Sequence, residues 1–162
     1  MAMIKRATTV LGVAAAAFAL TMAGQGVASA SGVLEANNAD FLDGDTLYFS
    51  DSGRTNCAIH ANGDVGCDLT PGMNLWGFIP ISDVVIDGSG LPAHPTFGLT
   101  GQHGRPGSRW LSDVPRPDGN VYAGTHFDYA GVSCLGGQPR GGGLTCTSKG
   151  HTFTLGMNVQ IS

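Results

Sequence analysis

The chain has 162 residues, 42% of them hydrophobic and 12% charged, with 26 glycines, 8 prolines and 4 cysteines. Charge at about half the ~25% of ordinary soluble domains, beside an ample apolar fraction, excludes a disordered polyampholyte and a basic nucleic-acid arm. Glycine stands at about twice its usual share without a Gly-X-Y period, which excludes collagen and predicts many turns.

At the start, Lys5 and Arg6 precede an uncharged apolar run, Val10 to Ala23, and small residues ending Ala28-Ser29-Ala30. A basic start, an apolar middle and an A-x-A end predict a signal peptide over residues 1–30, cleaved after Ala30. The apolar run is shorter than the ~20 residues that span hydrocarbon, so no membrane insertion is expected after cleavage. The mature chain from Ser31 then holds six cations against twelve acids, a net charge of −6. Phosphate backbones and anionic lipid both need clustered positive charge, so nucleic acid is not an expected partner. Eleven of the acids are Asp and only Glu35 is Glu. Asp suits turns, where it bonds local amides, whereas Glu favours helices, so the choice of acid predicts β-structure.

Residues 31–40 are small and polar and are expected as a flexible mature N-terminus ahead of a single domain, 41–162. Asp40, Asp43 and Asp45, around Gly44, offer oxygen ligands to Ca²⁺. Without EF-hand spacing or a bidentate Glu they read better as solvated turn residues, and no metal is expected. Thr46-Leu-Tyr-Phe-Ser50 predicts a strand, ended by the turn-rich stretch Asp51 to Asn56.

The cysteines stand at 57, 67, 134 and 146. An even number in an exported chain reads as disulfides, and the spacings are too long for C-x-x-C redox or zinc-ribbon chemistry. Three connectivities are possible, and local sequence favours one. Between the first two, Asn62-Gly63 is a hairpin signal. If Ala61-Asn62-Gly63 is the loop, with Gly63 in the left-handed position of a bulge, Cys57 faces Cys67 and Ile59 faces Val65. Opposed strand positions have Cβ atoms about 4.5–5.5 Å apart, near the reach of a disulfide. This register turns Cys57, Ile59, Val65 and Cys67 inward and Asn56, His60, Asp64 and Asp68 outward. His60 opposite Asp64 is a candidate acid–base pair, though an exposed cross-strand pair is the simpler reading.

Trp76 to Ile86, interrupted by Pro80, predicts one or two strands near an edge. Asp87 to Asp118 carries Gly and Pro at short intervals and predicts a long loop anchored by Trp110 and Leu111. Its only local excess of cation is Arg105, Arg109 and Arg116 around Trp110. Trp stacks on sugar faces and Arg forks onto carboxylates, so these four residues are candidate binders of a glycan or an acidic protein. The alternative is a Trp110 that plugs the core and arginines that balance Asp113 and Asp118. Gly90-Leu-Pro-Ala-His-Pro95 has the stiffness of an inhibitor loop, although the expected disulfides do not clamp it.

Asn120 to Ala130 leads into a second hairpin, in which Val132-Ser-Cys134 and Leu144-Thr-Cys146 flank a glycine-rich tip, Gly136 to Gly143. Centring the tip on Arg140 sets Cys134 opposite Cys146. The tip lacks a P-loop lysine, so a hairpin loop explains it. Phe153, Leu155, Met157, Val159 and Ile161 then alternate with polar residues, the clearest strand signal in the chain. No stretch keeps a capped helical pattern, and no internal repeat is evident. His94, His103, His126 and His151 are scattered, with no H-E-x-x-H, G-x-S-x-G or S-x-x-K, so neither metal nor cofactor is expected and no catalytic residue is assigned.

Phe49-Ser-Asp-Ser-Gly-Arg-Thr-Asn-Cys57, Gly63-Asp-Val-Gly-Cys67, Tyr129-Ala-Gly-Val-Ser-Cys134, Gly143-Leu-Thr-Cys146 and His151-Thr-Phe153 together resemble a pattern in uncharacterised secreted proteins and lipoproteins of actinobacteria. The chain departs from it at Arg54-Thr-Asn56, where a β-branched strand entry is the norm, and the segment between the two blocks has no counterpart. The resemblance implies an envelope or extracellular protein with two intra-hairpin bridges, and transfers no catalytic residue.

The expected fold is all-β, a small antiparallel sandwich or open barrel stapled by two intra-hairpin disulfides. The expected function is non-enzymatic binding of a protein or glycan in the cell envelope or extracellular space, with the 87–118 segment and the 136–143 tip as recognition surfaces. A hydrolase built from loop His and Asp residues and a peptidase inhibitor are the alternatives.

Overall fold

The computed structural model describes residues 32–116, 120, 122–138 and 143–162. The expected signal peptide and the centre of the glycine-rich tip, 139–142, lie outside them. The described chain is nearly all β and forms one sheet, curled into an open half-barrel. Its strands are β1 (Val33–Glu35), β2 (Leu42–Asp43), β3 (Thr46–Asp51), β4 (Thr55–His60), β5 (Val65–Leu75), β6 (Ile79–Ile86), β7 (Gly124–Tyr129), β8 (Val132–Gly136), β9 (Leu144–Ser148), β10 (His151–Leu155) and β11 (Val159–Ile161).

The register of the first cysteine hairpin follows its turn. Gly63 has φ +82°, Cys57 pairs with Cys67 and Ile59 with Val65, as a three-residue loop with a left-handed glycine requires. Both predicted disulfides form, Cys57–Cys67 and Cys134–Cys146, each across a directly opposed pair with Cα atoms 4.1 Å apart.

The sequence suggests no repeat, yet the structure contains one. Strands β3 to β6 and β7 to β10 are two antiparallel four-stranded meanders with matching cross-strand rows. One row is Phe49, Cys57, Cys67, Val84; the other is Phe127, Cys134, Cys146, Phe153. Both rows are buried in one continuous core. The match escapes notice because the loops differ in length and only Phe and Cys are shared. The meanders join through β11, whose Val159 pairs in parallel with Leu75 of β5. Side chains add further ties: Tyr129 Oη donates to the Asp45 carbonyl at 2.8 Å, and Ser148 Oγ to the Gly63 carbonyl at 2.6 Å.

Two expectations need correction. The supposedly loose N-terminus contains β1, which pairs in parallel with β7 through Val33–Gly124, Leu34–Thr125 and Glu35–His126. The five-residue C-terminal alternation is not one strand but the hairpin β10–β11, in which Phe153 pairs with Ile161 and Leu155 with Val159. Met157 sits at the turn and is 97% exposed. Folding a period-two pattern at one of its own apolar positions leaves the others on one face, so alternation alone cannot separate the two arrangements.

Of the expected 87–118 loop, the described residues 87–116 form no named strand and run back over the outer face of β4 and β5. Two carboxylates pin them there. Asp83 accepts the backbone N–H groups of Thr96, Phe97 and Gly98 at 2.7, 3.0 and 2.8 Å, and Asp68 those of His103 and Gly104 at 3.0 and 2.8 Å. A side chain at Gly104 would place its Cβ 2.1 Å from the Asn56 carbonyl oxygen, so only glycine allows the approach. Hence Ala58 and Gly66, on the face expected to meet water, are buried.

Candidate functional site

At one end of the half-barrel a cleft of about 810 Å³ opens between five separate parts of the chain. They are the β3–β4 turn, the irregular middle of β5 around Pro71 and Met73, the segment from Trp110 to Arg116, the β8–β9 loop at Gly137, Gln138 and Gly143, and the β10–β11 turn with Met157. The 87–118 segment and the glycine-rich tip, expected as two recognition surfaces, therefore contribute walls to a single cleft.

Trp110 is 46% exposed and its indole packs over Gly53, where an added Cβ would lie 3.0 Å from the ring. It is a wall of the cleft and not a core plug; its neighbour Leu111 is the buried anchor. Its backbone bridges to Ser50, which fixes the ring beside the β3–β4 turn.

The four candidate binding residues do not form one surface. Arg105 lies over the Tyr48 ring, 4.3 Å from its centroid, and pairs with Asp43; Arg109 lies over Phe41 at 5.2 Å and pairs with Asp40 at 3.1 Å. Those two aspartates, considered above as Ca²⁺ ligands, thus serve as counterions, and Asp45 accepts from Thr46 Oγ1. Only Trp110 and Arg116 reach the cleft, where they are joined by Arg54. Arg116 Nη1 and Nη2 donate to the carbonyls of Val114 and Gly137, each at 3.3 Å, and its buried Nε has no partner among the described residues.

An electrostatic asymmetry follows. Among the described residues, Arg105, Arg109 and Lys149 each have a carboxylate within 4 Å, whereas Arg54 and Arg116 have none. Both unpaired cations line the cleft. The nearest acid there, Asp51, is buried and accepts from the Gly137 N–H at 2.7 Å. Burial raises its pKa above the ordinary carboxylate value, against the opposing hydrogen bonds from Gly137 and Ser52. Its charge is therefore easier to remove by acid than that of an ordinary carboxylate.

The histidines disperse, and none lines the cleft. His60 faces Asp64 across the hairpin, its N–H donating to the Asp64 carbonyl at 2.9 Å, but the candidate acid–base pair does not form: His60 Nδ1 is 3.3 Å from Thr46 Oγ1, while the Asp64 carboxylate takes Lys149 Nζ and, at 2.7 Å, Asn62 Nδ2. Lys149 reaches that carboxylate from the β9–β10 turn. His94 bonds locally to Pro92, His103 sits 3.2 Å from Thr100 Oγ1, and His151 sits 3.1 Å from the Ser89 carbonyl. His126 alone has side-chain partners on both ring nitrogens, Glu35 and Ser133. The 90–95 segment is held by paired backbone bonds between His94 and Val85, at 2.9 and 3.0 Å, and by no disulfide.

Sequence reading missed Arg54, Asp51, Met73 and Met157 as cleft residues. The signal available for Arg54 was its place in the turn Ser52-Gly53-Arg54. Compared with known protein families, with curated proteins and with solved structures, the chain matches none.

Proposed function

We propose that this is an exported β-domain that acts by binding, and that the end cleft takes an anionic glycan carrying carboxylated sugars. The observation that carries the reading is the coincidence of Arg54 and Arg116, which have no carboxylate within 4 Å among the described residues, with a half-exposed Trp110 in one concave site. An indole offers a flat apolar face to a sugar ring, and guanidinium groups fork onto carboxylates. Pro71, Met73 and Met157 supply apolar wall for the ring edges. Two disulfides, and the lack of any membrane-crossing helix among the described residues, are compatible with an extracellular setting.

Calorimetric titration with an oligomer of a uronic acid, and with its uncharged parent sugar, tests this. Binding of the acidic oligomer alone is expected, weakened about tenfold or more by Trp110→Ala and by Arg54→Gln. Equal binding of the neutral sugar, or no binding of the acidic one, contradicts the reading.

A further inference from the structure

On the outer face of the second meander, away from the cleft, three adjacent strands bring Glu35, His126 and Ser133 into line. His126 Nδ1 is 2.7 Å from Glu35 Oε2, and His126 Nε2 is 2.8 Å from Ser133 Oγ. The register brings these residues onto one face. Glu35 of β1 pairs directly with His126 of β7, and Ser133 of β8 pairs with Asp128, two residues further along the same face. All three point away from the core, in opposite phase to the buried Phe127 and Cys134.

In the neutral ring the hydrogen bonding has one sense that satisfies every group. A carboxylate only accepts, so Nδ1 carries the proton and donates to Glu35. Nε2 is then a bare lone pair, and Ser133 Oγ–H donates to it. A hydroxyl held against a basic nitrogen, with the ring oriented by a carboxylate, is the arrangement that activates a serine nucleophile. The other nearby acid, Asp128, has Oδ1 3.7 Å from Nε2, beyond hydrogen-bond reach, so the hydroxyl is the partner of that nitrogen.

We infer that Ser133 is a nucleophile toward carboxylic esters, with His126 as its general base and Glu35 as the positioning residue. In the first step Ser133 Oγ bonds to the acyl carbon, and its proton passes to Nε2. The bond to the alcohol oxygen then breaks, and Nε2 returns the proton to the departing alkoxide. Water, deprotonated by the same Nε2, attacks the acyl-serine; the carboxylic acid leaves and Oγ recovers its proton. Thr147 lies directly opposite Ser133 on β9. In this cross-strand row Thr147 stands between Ser133 and Thr152, the two threonine hydroxyls 2.9 Å apart, and Asp128 stands on the other side of Ser133. The proposal is independent of the cleft and adds a chemical activity to a binding domain.

Labelling of the intact chain with diisopropyl fluorophosphate tests it directly. The Oγ–P bond forms as P–F breaks, and the proton leaves with fluoride by way of Nε2. Mass spectrometry is expected to place the adduct on Ser133, with none in Ser133→Ala, and labelling slowed about 100-fold or more in His126→Gln. Glu35→Ala slows it as well, and Glu35→Asp restores part of the rate, which a merely structural Glu35 would not do. Turnover of p-nitrophenyl acetate follows the same order. Circular dichroism of each variant, unchanged from the parent, shows that the fold is kept. No adduct on Ser133, or an adduct whose rate is the same in His126→Gln, overturns the inference.

Discussion

Phe49 and Phe127 hold the same place in two copies of one meander, each opposite the first cysteine of its own disulfide, and their rings meet with centroids 5.2 Å apart. Phe41 closes the cluster with an edge-on contact to Phe127 at 4.8 Å. The half-barrel is thus held where its two halves are most alike, through aromatic faces buried from water.

Truncating that junction is expected to cost more than truncating either periphery. Phe127→Ala removes contacts to both Phe41 and Phe49 and should destabilise by about 3–5 kcal/mol. Denaturant midpoints check this, and a loss under 1 kcal/mol would mean that the halves do not depend on one another at this point.

Each disulfide closes a short loop, with sequence separations of 10 and 12. Replacing either pair by serine or alanine should cost about 2–3 kcal/mol by the chain-entropy relation. Because the two rows are equivalent, the Cys57/Cys67 and Cys134/Cys146 variants should lose similar amounts in thermal unfolding. A large inequality would show that one meander folds without the other.

Asp83 is buried and holds the 96–98 turn, in which Phe97 adopts φ +55° and is exposed. Burial pushes its pKa upward, but the hydrogen bonds from Thr96, Gly98 and Phe97 outweigh it, and the folded value lies below the usual one. A depressed carboxylate stabilises fully above its unfolded pKa, about 3.9, and the contribution is lost as pH falls through the lower folded value. Asp83→Asn turns an acceptor oxygen into a donor facing N–H groups and should cost about 1–3 kcal/mol. Amide exchange at 96–98 is expected to accelerate in that variant and in acid.

Asp51 has the opposite sign. Its folded pKa is raised, so its ionisation costs stability as pH rises through that value, and protonation returns it. These two contributions together are greatest between the titrations of Asp83 and Asp51, and Asp51→Asn should remove the loss of stability on the side above it. Neutralising Asp51 also removes a negative charge from the cleft, so affinity for an anionic glycan should strengthen as pH falls through the same range. Melting curves and titrations across pH test both signs together.

The readable parts of this fold are those fixed by local covalent geometry. An Asn-Gly turn and two cysteines determine the register of β4 and β5, because positive φ at Gly63 admits one loop length that opposes the sulfurs. The C-terminal hairpin was not readable, since a fold at Met157 leaves the alternation intact. The placement of the 87–118 segment was hidden too: carboxylate bonds from Asp83 and Asp68 to distant backbone amides obey no sequence spacing. The cleft was half legible. Trp110 and Arg116 stood out as an aromatic beside cations, but Arg105 and Arg109 looked the same and find aspartates instead. Which arginines keep a counterion is decided by tertiary neighbours alone. For Glu35, His126 and Ser133, three strands meet that lie up to 98 residues apart, and only the pleat relates them.

Glycan recognition in the end cleft is tested most directly by two-dimensional NMR of the chain during titration with a uronic-acid oligomer. The indole N–H of Trp110 and the side-chain N–H groups of Arg54 and Arg116 should shift in a saturable, salt-sensitive manner, while the amides of β7 and β8 on the outer face stay still. Saturable shifts confined to any other surface, or none at the Trp110 indole, would contradict it.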